Sequence, residues 1–567
     1  MSTADSPSQP DSPSQPDSPS HPDSPSHPDS PSHPDSPSQP DADRLSDGGF
    51  DVDAFQVYDT TLRDGSQGEG MAFSVEDKLA VARLLDEIGV GYIEAGWPGA
   101  SPKDTEVFRR AGGELDLATS TLVAFGATRK PGTSAAADPQ VLALLDSGAT
   151  AVTLVAKAST RHVRDALRTT ATEALAMVDD TVRLLVGAGR RVFVDGEHFF
   201  DGYADDPAFS TEVVRVAHAA GAAAFVPCDT NGGTLPSRVA AVTRELLVAV
   251  PGLRLGIHCH DDAGCAVANT LAAVEAGATH VQGALNGYGE RCGNADLVTV
   301  VAGLEVKTGR RVLPPGRLRE LTRVSHAVAA IANRPPRRQA PYVGASAFAH
   351  KAGLHASALK VATDLYQHMD PAAVGNDMRV LVSELAGRAT IELKGRELGL
   401  ELPAEVVATV TRRVKELEAG GWSFEAAEAS FELLLREELA GAPQAAWETE
   451  SWRVTVDAAG AEATVKLLVK GERVLAVGEG NGPVDALDHA LRSALETVHP
   501  RLAGLELVDY AVRILEDGHG TGAVTRVLLT TSDGERTWTT VGVDHNVVNA
   551  SWRALTDAYT FGLLPVT

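Results

Sequence analysis

Three stretches of this chain carry side chains that can do chemistry together: "DTTLRDGSQ" (59–67), "HCHDD" (258–262) and "GYGERCGN" (287–294). His258 and His260 stand two apart, and on a strand that spacing aims both imidazoles at one face. With a carboxylate from another strand end they form a mixed nitrogen and oxygen set. Such a set suits Mn, Zn, Co or Mg in an open site that keeps positions for substrate oxygens. Asp64 is the third ligand expected. Taken alone, the two histidines read equally well as a buried, hydrogen-bonded pair. Arg63 adjoins Asp64, and a guanidinium beside a metal suits a developing oxyanion. Its plainer reading, a surface ion pair, sits poorly at the end of an apolar strand. Glu197, in "DGEHFF", can orient a group or exchange a proton. Thr230, in "CDTNGG", offers a neutral donor to a carboxylate.

These residues need a scaffold that brings distant strand ends to one rim. From Phe55 onward, short β-branched runs alternate with amphipathic stretches. The strand candidates are 55–62, 91–97, 121–128, 151–158, 191–200, 223–230, 253–262 and 280–287. Several intervening stretches end in Gly, as a helix C-cap does. Strand–helix alternation means a parallel sheet, and this many units in about 250 residues is the arithmetic of a closed (β/α)8, or TIM, barrel. A doubly wound open sheet is the alternative. A barrel carries its site at the C-terminal ends of its strands, where all the residues named above fall.

The fold class expected is therefore α/β: a TIM barrel over 49–310, a mostly helical linking subdomain over 311–445, and a C-terminal α+β unit over 446–567. The stretch 441–451 reads as a linker. Beyond it Gly478, Val484, Ala486, Ala490, Leu491 and Ala494 recur 64 residues later as Gly542, Val548, Ala550, Ala554, Leu555 and Ala558. The C-terminal unit thus reads as two pseudo-symmetric βββα copies. Residues 1–48 repeat "DSPSQP" or "DSPSHP" every six residues from Asp5 to Asp35. That composition cannot bury a core and reads as a disordered, partly polyproline-like tail.

Composition excludes several roles. Of the 567 residues, 43% are hydrophobic and 22% charged, enough for a sizeable soluble core. The formal charge of −26 argues against nucleic acid or an anionic membrane as partner. No run reaches the roughly 18 apolar residues of a membrane span. The four cysteines form no CxxC pair, and no basic segment followed by an apolar run opens the chain. The expected compartment is a reducing cytoplasm.

Across "LRDGSQ", "HCHDD" and "GYGERCGNADL" the chain resembles the acyltransferases that join acetyl-CoA to an α-keto acid. These are the 2-isopropylmalate, homocitrate and citramalate synthase family of the DRE-TIM metallolyases. The resemblance covers residues 55 to 567, and it implies roles. Asp64, His258, His260 and Asn294 would hold the divalent metal. Arg63 would support an enolate or alkoxide, with Gln67, Glu197 and Thr230 around the substrate. "AFAHKAGLHASAL" is similar to the segment that places a catalytic base over the barrel, with His355 as that base and Tyr366 as the following tyrosine; His350 competes for the role. Ser357 stands where relatives often carry Asp, which puts the base's partner in doubt. "YIEAGWPGASPKD" is similar to the citramalate synthase branch, whose keto acid is pyruvate. Trp97 and Phe125 would fill the volume a longer keto acid needs, since fit alone discriminates a methylene by only about 1–3 kcal/mol. Their plainer reading is rim packing. The C-terminal repeat resembles the family's allosteric dimerisation domain, which implies a homodimer and an amino-acid effector, isoleucine if citramalate is the product. The rivals are a 2-isopropylmalate synthase using 2-oxoisovalerate, a lyase cleaving a 3-hydroxyacyl-CoA, and a catalytically silent amino-acid sensor. The lyase would have no need of the C-terminal repeat.

Overall fold

The computed structural model describes residues 50–515 and 520–564. The hexapeptide tail lies outside them. Eight strands close a barrel in chain order. They are β1 (Gln56–Asp59), β2 (Tyr92–Gly96), β3 (Thr121–Ala127), β4 (Ala151–Lys157), β5 (Arg191–Glu197), β6 (Ala224–Asp229), β7 (Gly256–Cys259) and β8 (His280–Gly283). Every neighbouring pair is parallel, and β1 closes on β8. The expected barrel is present and the open sheet is excluded.

Each strand hands the chain to a helix that covers it. The first, Val75–Ile88, starts on a reciprocal Ser74–Asp77 capping box and stops at Gly89, whose φ of 85° ends the helix as an αL cap. The outward residues of the strands meet these helices in one continuous apolar core. The inward residues alternate with them. Tyr58, Tyr92, Val123, Ala151, Phe193 and Ala224 fill the barrel floor. Two positions further along, four of these strands carry a polar residue, Thr60, Glu94, Thr153 and Asp195, while β3 carries Phe125 and β6 Val226.

Several strands are shorter than the sequence pattern implies. β1 stops at Asp59 rather than 62, because the N–H groups of Arg63 and Gly65 both turn back to the Thr60 carbonyl, at 3.2 and 2.9 Å. Arg63 and Asp64 therefore sit on a tight turn above the strand, not on its last residues. β8 stops at Gly283, and a 3-10 turn (Leu285–Gly287) follows with Asn286 at φ 61°. β4 and β5 are each followed by two helices rather than one.

Beyond the barrel, the short paired strands β9 (Ala349–His350) and β10 (Arg379–Val380) sit among helices. The stretch read as a linker, 441–451, is in part a strand. β11 (Trp447–Val456) begins inside it with Trp447 buried. β11, β12 (Ala461–Val469) and β13 (Glu472–Gly480) form one antiparallel sheet covered by the helix Pro483–Leu495. β14 (Glu506–Ile514), β15 (Thr525–Ser532) and β16 (Thr537–Asp544) form a second, covered by Val547–Gly562. The repeat has a packing cause. A Cβ on Gly478 would meet the Ala490 nitrogen at 2.3 Å and the Ala486 carbonyl oxygen at 2.6 Å, and one on Gly542 would meet the Ala550 carbonyl oxygen. The recurring glycines and alanines are where strand backbone and helix backbone touch. The helix Glu428–Ala440 is tied to the second copy: the Ser430 hydroxyl donates to Asp557 at 2.8 Å and accepts from the Val541 N–H at 3.0 Å.

His280, fully buried at the barrel floor, meets Gln56 through Nδ1 at 2.9 Å, and burial pushes its imidazole down to about 3. Below its ordinary value of 6.5, the unfolded chain takes up a proton here that the folded barrel refuses. Stability therefore falls as the pH drops from 6.5 towards 3, by up to about 1.4 kcal/mol per unit. His280→Gln removes this group, so its unfolding free energy, measured in urea between pH 7 and 5, should fall less steeply than that of the wild type. Equal slopes would assign the acid sensitivity elsewhere.

Candidate functional site

The turn after β1 and the end of β7 bring Asp64, His258 and His260 together. One ligand atom from each lies within 4.8 Å of the others, and all three residues are buried. Asp64 Oδ2 faces His258 Nε2 at 3.5 Å and His260 Nε2 at 3.7 Å. His260 lies just past β7 and bridges to Asn294, which places the "GERCGN" loop beside it. Asn294 spends its amide hydrogen on the Tyr288 carbonyl at 2.9 Å. Asp64 Oδ2 and Asn294 Oδ1 are then buried acceptors with no hydrogen-bond partner among the described residues. Bare acceptor oxygens beside imidazole nitrogens match the needs of a divalent cation.

The shell around this cluster fixes it. Gln282, inward on β8, donates through Nε2 to Asp195 Oδ1 at 3.0 Å, which leaves its Oε1 to accept from His258 Nδ1 at 2.9 Å. That network assigns the proton of His258 to Nδ1 and leaves Nε2 free on the cluster side. Burial pushes the Asp195 carboxyl up to about 7.

Arg63 is held by two carboxylates. Its Nε donates to Glu94 at 2.5 Å and its Nη1 to Asp64 Oδ1 at 2.9 Å. Glu94, fully buried on β2, also accepts from the Tyr58 hydroxyl at 2.7 Å. Burial opposes ionisation of Asp64, but the carboxyl is held far below the usual range, the Arg63 guanidinium being the largest opposing influence. The guanidinium lies 3.8 Å over the Phe125 ring, and Trp97 packs edge-on against Phe125 at 5.2 Å. Trp97 is anchored twice: its indole donates to Gln140 at 2.8 Å and its backbone N–H to Asp104 at 3.0 Å. Asp104 in turn takes the buried Lys78 ammonium at 2.5 Å. A side chain on Gly96, whose φ is 149°, would strike Asp104, so the glycine in "EAGWPGASPKD" lets this anchor close.

On the other side of the mouth, Thr230 accepts the His198 N–H at 2.8 Å, and Glu197 pairs with Lys157. Gln67 is exposed on the 3-10 turn Gly65–Gln67; its backbone N–H donates to the Asp64 carbonyl at 3.0 Å, and its side chain makes no hydrogen bond among the described residues. His355 and Tyr366 form a stacked pair of their own, ring centroids 4.1 Å apart, with His350 6.0 Å from His355. Neither His355 nor Tyr366 bonds to the barrel-mouth residues among those described. Ser357 donates to the Gly353 carbonyl at 2.9 Å rather than to His355. Glu94, Lys157, Asp195 and Gln282 were not singled out from the sequence. Their signal is a polar residue on the inward parity of an otherwise apolar strand.

A closed parallel barrel with a buried Asp–His–His cluster at its mouth, followed by a paired βββα unit, defines a metal-site barrel enzyme with an appended allosteric unit. The HMGL-like model matches residues 54–328, the homocitrate synthase post-HMGL domain-like model 342–421, and the LeuA allosteric (dimerisation) domain 425–563. The (R)-citramalate synthase of Streptomyces coelicolor is 62% identical over 519 residues, covering 90% of this chain and 97% of that one. That of Synechocystis is 45% identical, with 90% and 96% covered. A probable 2-isopropylmalate synthase of Methanopyrus kandleri is 33% identical, with 88% and 97% covered. The chain belongs to the (R)-citramalate synthase family.

If Gln282 orients His258, Gln282→Leu should weaken divalent metal affinity by about 10–100-fold. Chelator competition on the purified protein measures this. Unchanged affinity would show that packing alone holds the imidazole.

Proposed function

We propose that this chain joins acetyl-CoA to pyruvate and releases (R)-citramalate and free CoA. What carries the reading is the coincidence of a near full-length match to (R)-citramalate synthases with a buried cluster of Asp64, His258 and His260 whose carboxylate is paired with Arg63. Asp64, His258, His260 and Asn294 would hold a divalent cation, which when bound would supply Lewis acidity at this mouth. Thr230 donates to the keto-acid carboxylate, and Gln67 lies at the rim of this pocket. His355, backed by the stacked Tyr366, takes a methyl proton from acetyl-CoA. The resulting enolate carbon adds to the ketone carbon, and the Arg63 guanidinium faces the alkoxide that forms. Glu197 exchanges a proton at the mouth, and water then cleaves the thioester to carboxylate and CoA thiol.

Trp97 and Phe125 favour the smallest keto acid. Their mutual packing, with Phe125 under Arg63, leaves aromatic bulk where a branched chain would extend. The second reading, a 2-isopropylmalate synthase, is tested directly by a keto-acid panel with a thiol-reporting assay. Pyruvate should exceed 2-oxoisovalerate in kcat/KM, and Trp97→Ala should narrow that ratio by about tenfold or more. A preference for 2-oxoisovalerate in the wild type would overturn the assignment. His260→Ala should abolish keto-acid-dependent CoA release, whereas wild-type turnover would sink the metal assignment. A silent sensor would show no turnover with any keto acid.

The C-terminal copies support a homodimer with feedback by isoleucine. Val508, Tyr510, Val512 and Ile514 of β14 are exposed, apolar surface of a kind that assembly covers. No helix among the described residues is long and apolar enough to cross a membrane; we assign the enzyme to the cytoplasm. Truncation after Ala440 should remove isoleucine inhibition while some catalysis survives. An unchanged isoleucine response would move the effector site out of the C-terminal unit.

A further inference from the structure

Lys157 and Glu197 stand apart from the networks that hold the metal cluster. Lys157 ends β4, Glu197 ends β5, and the two are register partners. Parity places both on the inner face of the barrel. On β4, Ala151 lies in the floor cluster and Thr153 reaches the Tyr58 hydroxyl at 2.6 Å. On β5, Phe193 lies in the floor cluster and Asp195 reaches Gln282. Counting on by twos brings Lys157 and Glu197 to the mouth, facing inward.

Each is the other's only side-chain hydrogen-bond partner among the described residues. The neighbouring cations are engaged elsewhere: Arg63 with Glu94 and Asp64, and Arg291 with Asp262. The Lys157 and Glu197 side chains are 24% and 27% exposed, so the pair is open to a substrate but mostly out of water. The backbone pins the carboxylate as well. His198, directly after Glu197, holds φ at 54°, a left-handed value that costs a non-glycine residue energy, and its N–H is fixed on Thr230. The helix Phe199–Asp205 starts at once, so β5 cannot swing Glu197 away from the mouth. A partly buried carboxylate without a counter-charge takes up a proton or turns to solvent.

We propose that Lys157 is a positioning residue for the condensation: its ammonium keeps Glu197 ionised and aimed inward, in the state that exchanges a proton with substrate. This rests on the reading of Glu197 given above.

The test is a double-mutant cycle on the full chain, with CoA release measured at saturating acetyl-CoA and pyruvate. Lys157→Met should lower kcat by about 100-fold while KM for pyruvate moves only a few-fold. Lys157→Arg should recover most of the loss. Lys157→Met combined with Glu197→Gln should be no slower than Glu197→Gln alone. Metal affinity and melting temperature should stay at wild-type values, which separates positioning from damage to the barrel. Should Lys157→Met fold poorly, Lys157→Gln replaces it in the cycle. Wild-type kcat in Lys157→Met beside an impaired Glu197→Gln, or losses that multiply in the double variant, would overturn the proposal for Lys157 alone. Wild-type kcat in Glu197→Gln would instead overturn the reading of Glu197, and the proposal with it.

Discussion

Arg63 is the constraint from which the rest of the mouth follows. A guanidinium taken out of water must be matched by carboxylates in good geometry. Here Glu94 takes one N–H and Asp64 Oδ1 another. That division of Asp64 matters. One oxygen is spent on the guanidinium, and the other is left bare, facing two imidazole nitrogens. The same arginine lies over Phe125, which Trp97 wedges from the side. One cation thus fixes the ionisation of the cluster, the direction of its free oxygen and one wall of the pocket.

The polar groups of the barrel interior are buried and are arranged as chains that end on apolar packing. Tyr58 links Glu94 to Thr153, and Gln282 links His258 to Asp195. Below them the aromatic floor closes the lumen. The Lys78–Asp104 pair does comparable work outside the strands, holding the loop that carries Trp97. Buried ion pairs of this kind add little net stability, but losing one partner leaves an uncompensated buried charge, which penalises any other arrangement of these loops.

Much of this is legible in the sequence. Alternation and spacing gave the barrel, and HxH parity with a carboxylate at another strand end gave the metal cluster. The strand ends were not legible. β1 and β8 stop early because local turns capture their last N–H groups, and β-branched composition carries no record of that. Glu94, Asp195 and Gln282 were missed for a different reason. Each is a single polar residue in an apolar strand, and without the closed barrel nothing says which of them face one another. His355 and Tyr366 are matched from the sequence as base and following tyrosine, and their stacking sits in a segment with its own contacts. Ser357 bonds back along its own helix, so Tyr366 rather than residue 357 is the group against the imidazole.

The two C-terminal copies share their glycine and alanine contacts, but they are not equal where their helices meet. Asp488 of the first accepts from the Tyr559 hydroxyl of the second at 2.7 Å and from Arg492 at 2.9 Å. The matching positions, 64 residues away, are Trp552 and Leu495. The polar clasp therefore exists once, not twice, and the local twofold is broken at its own axis. The duplicated unit thus presents two faces of unlike chemistry at the helix junction, a left hand and a right hand rather than a spare.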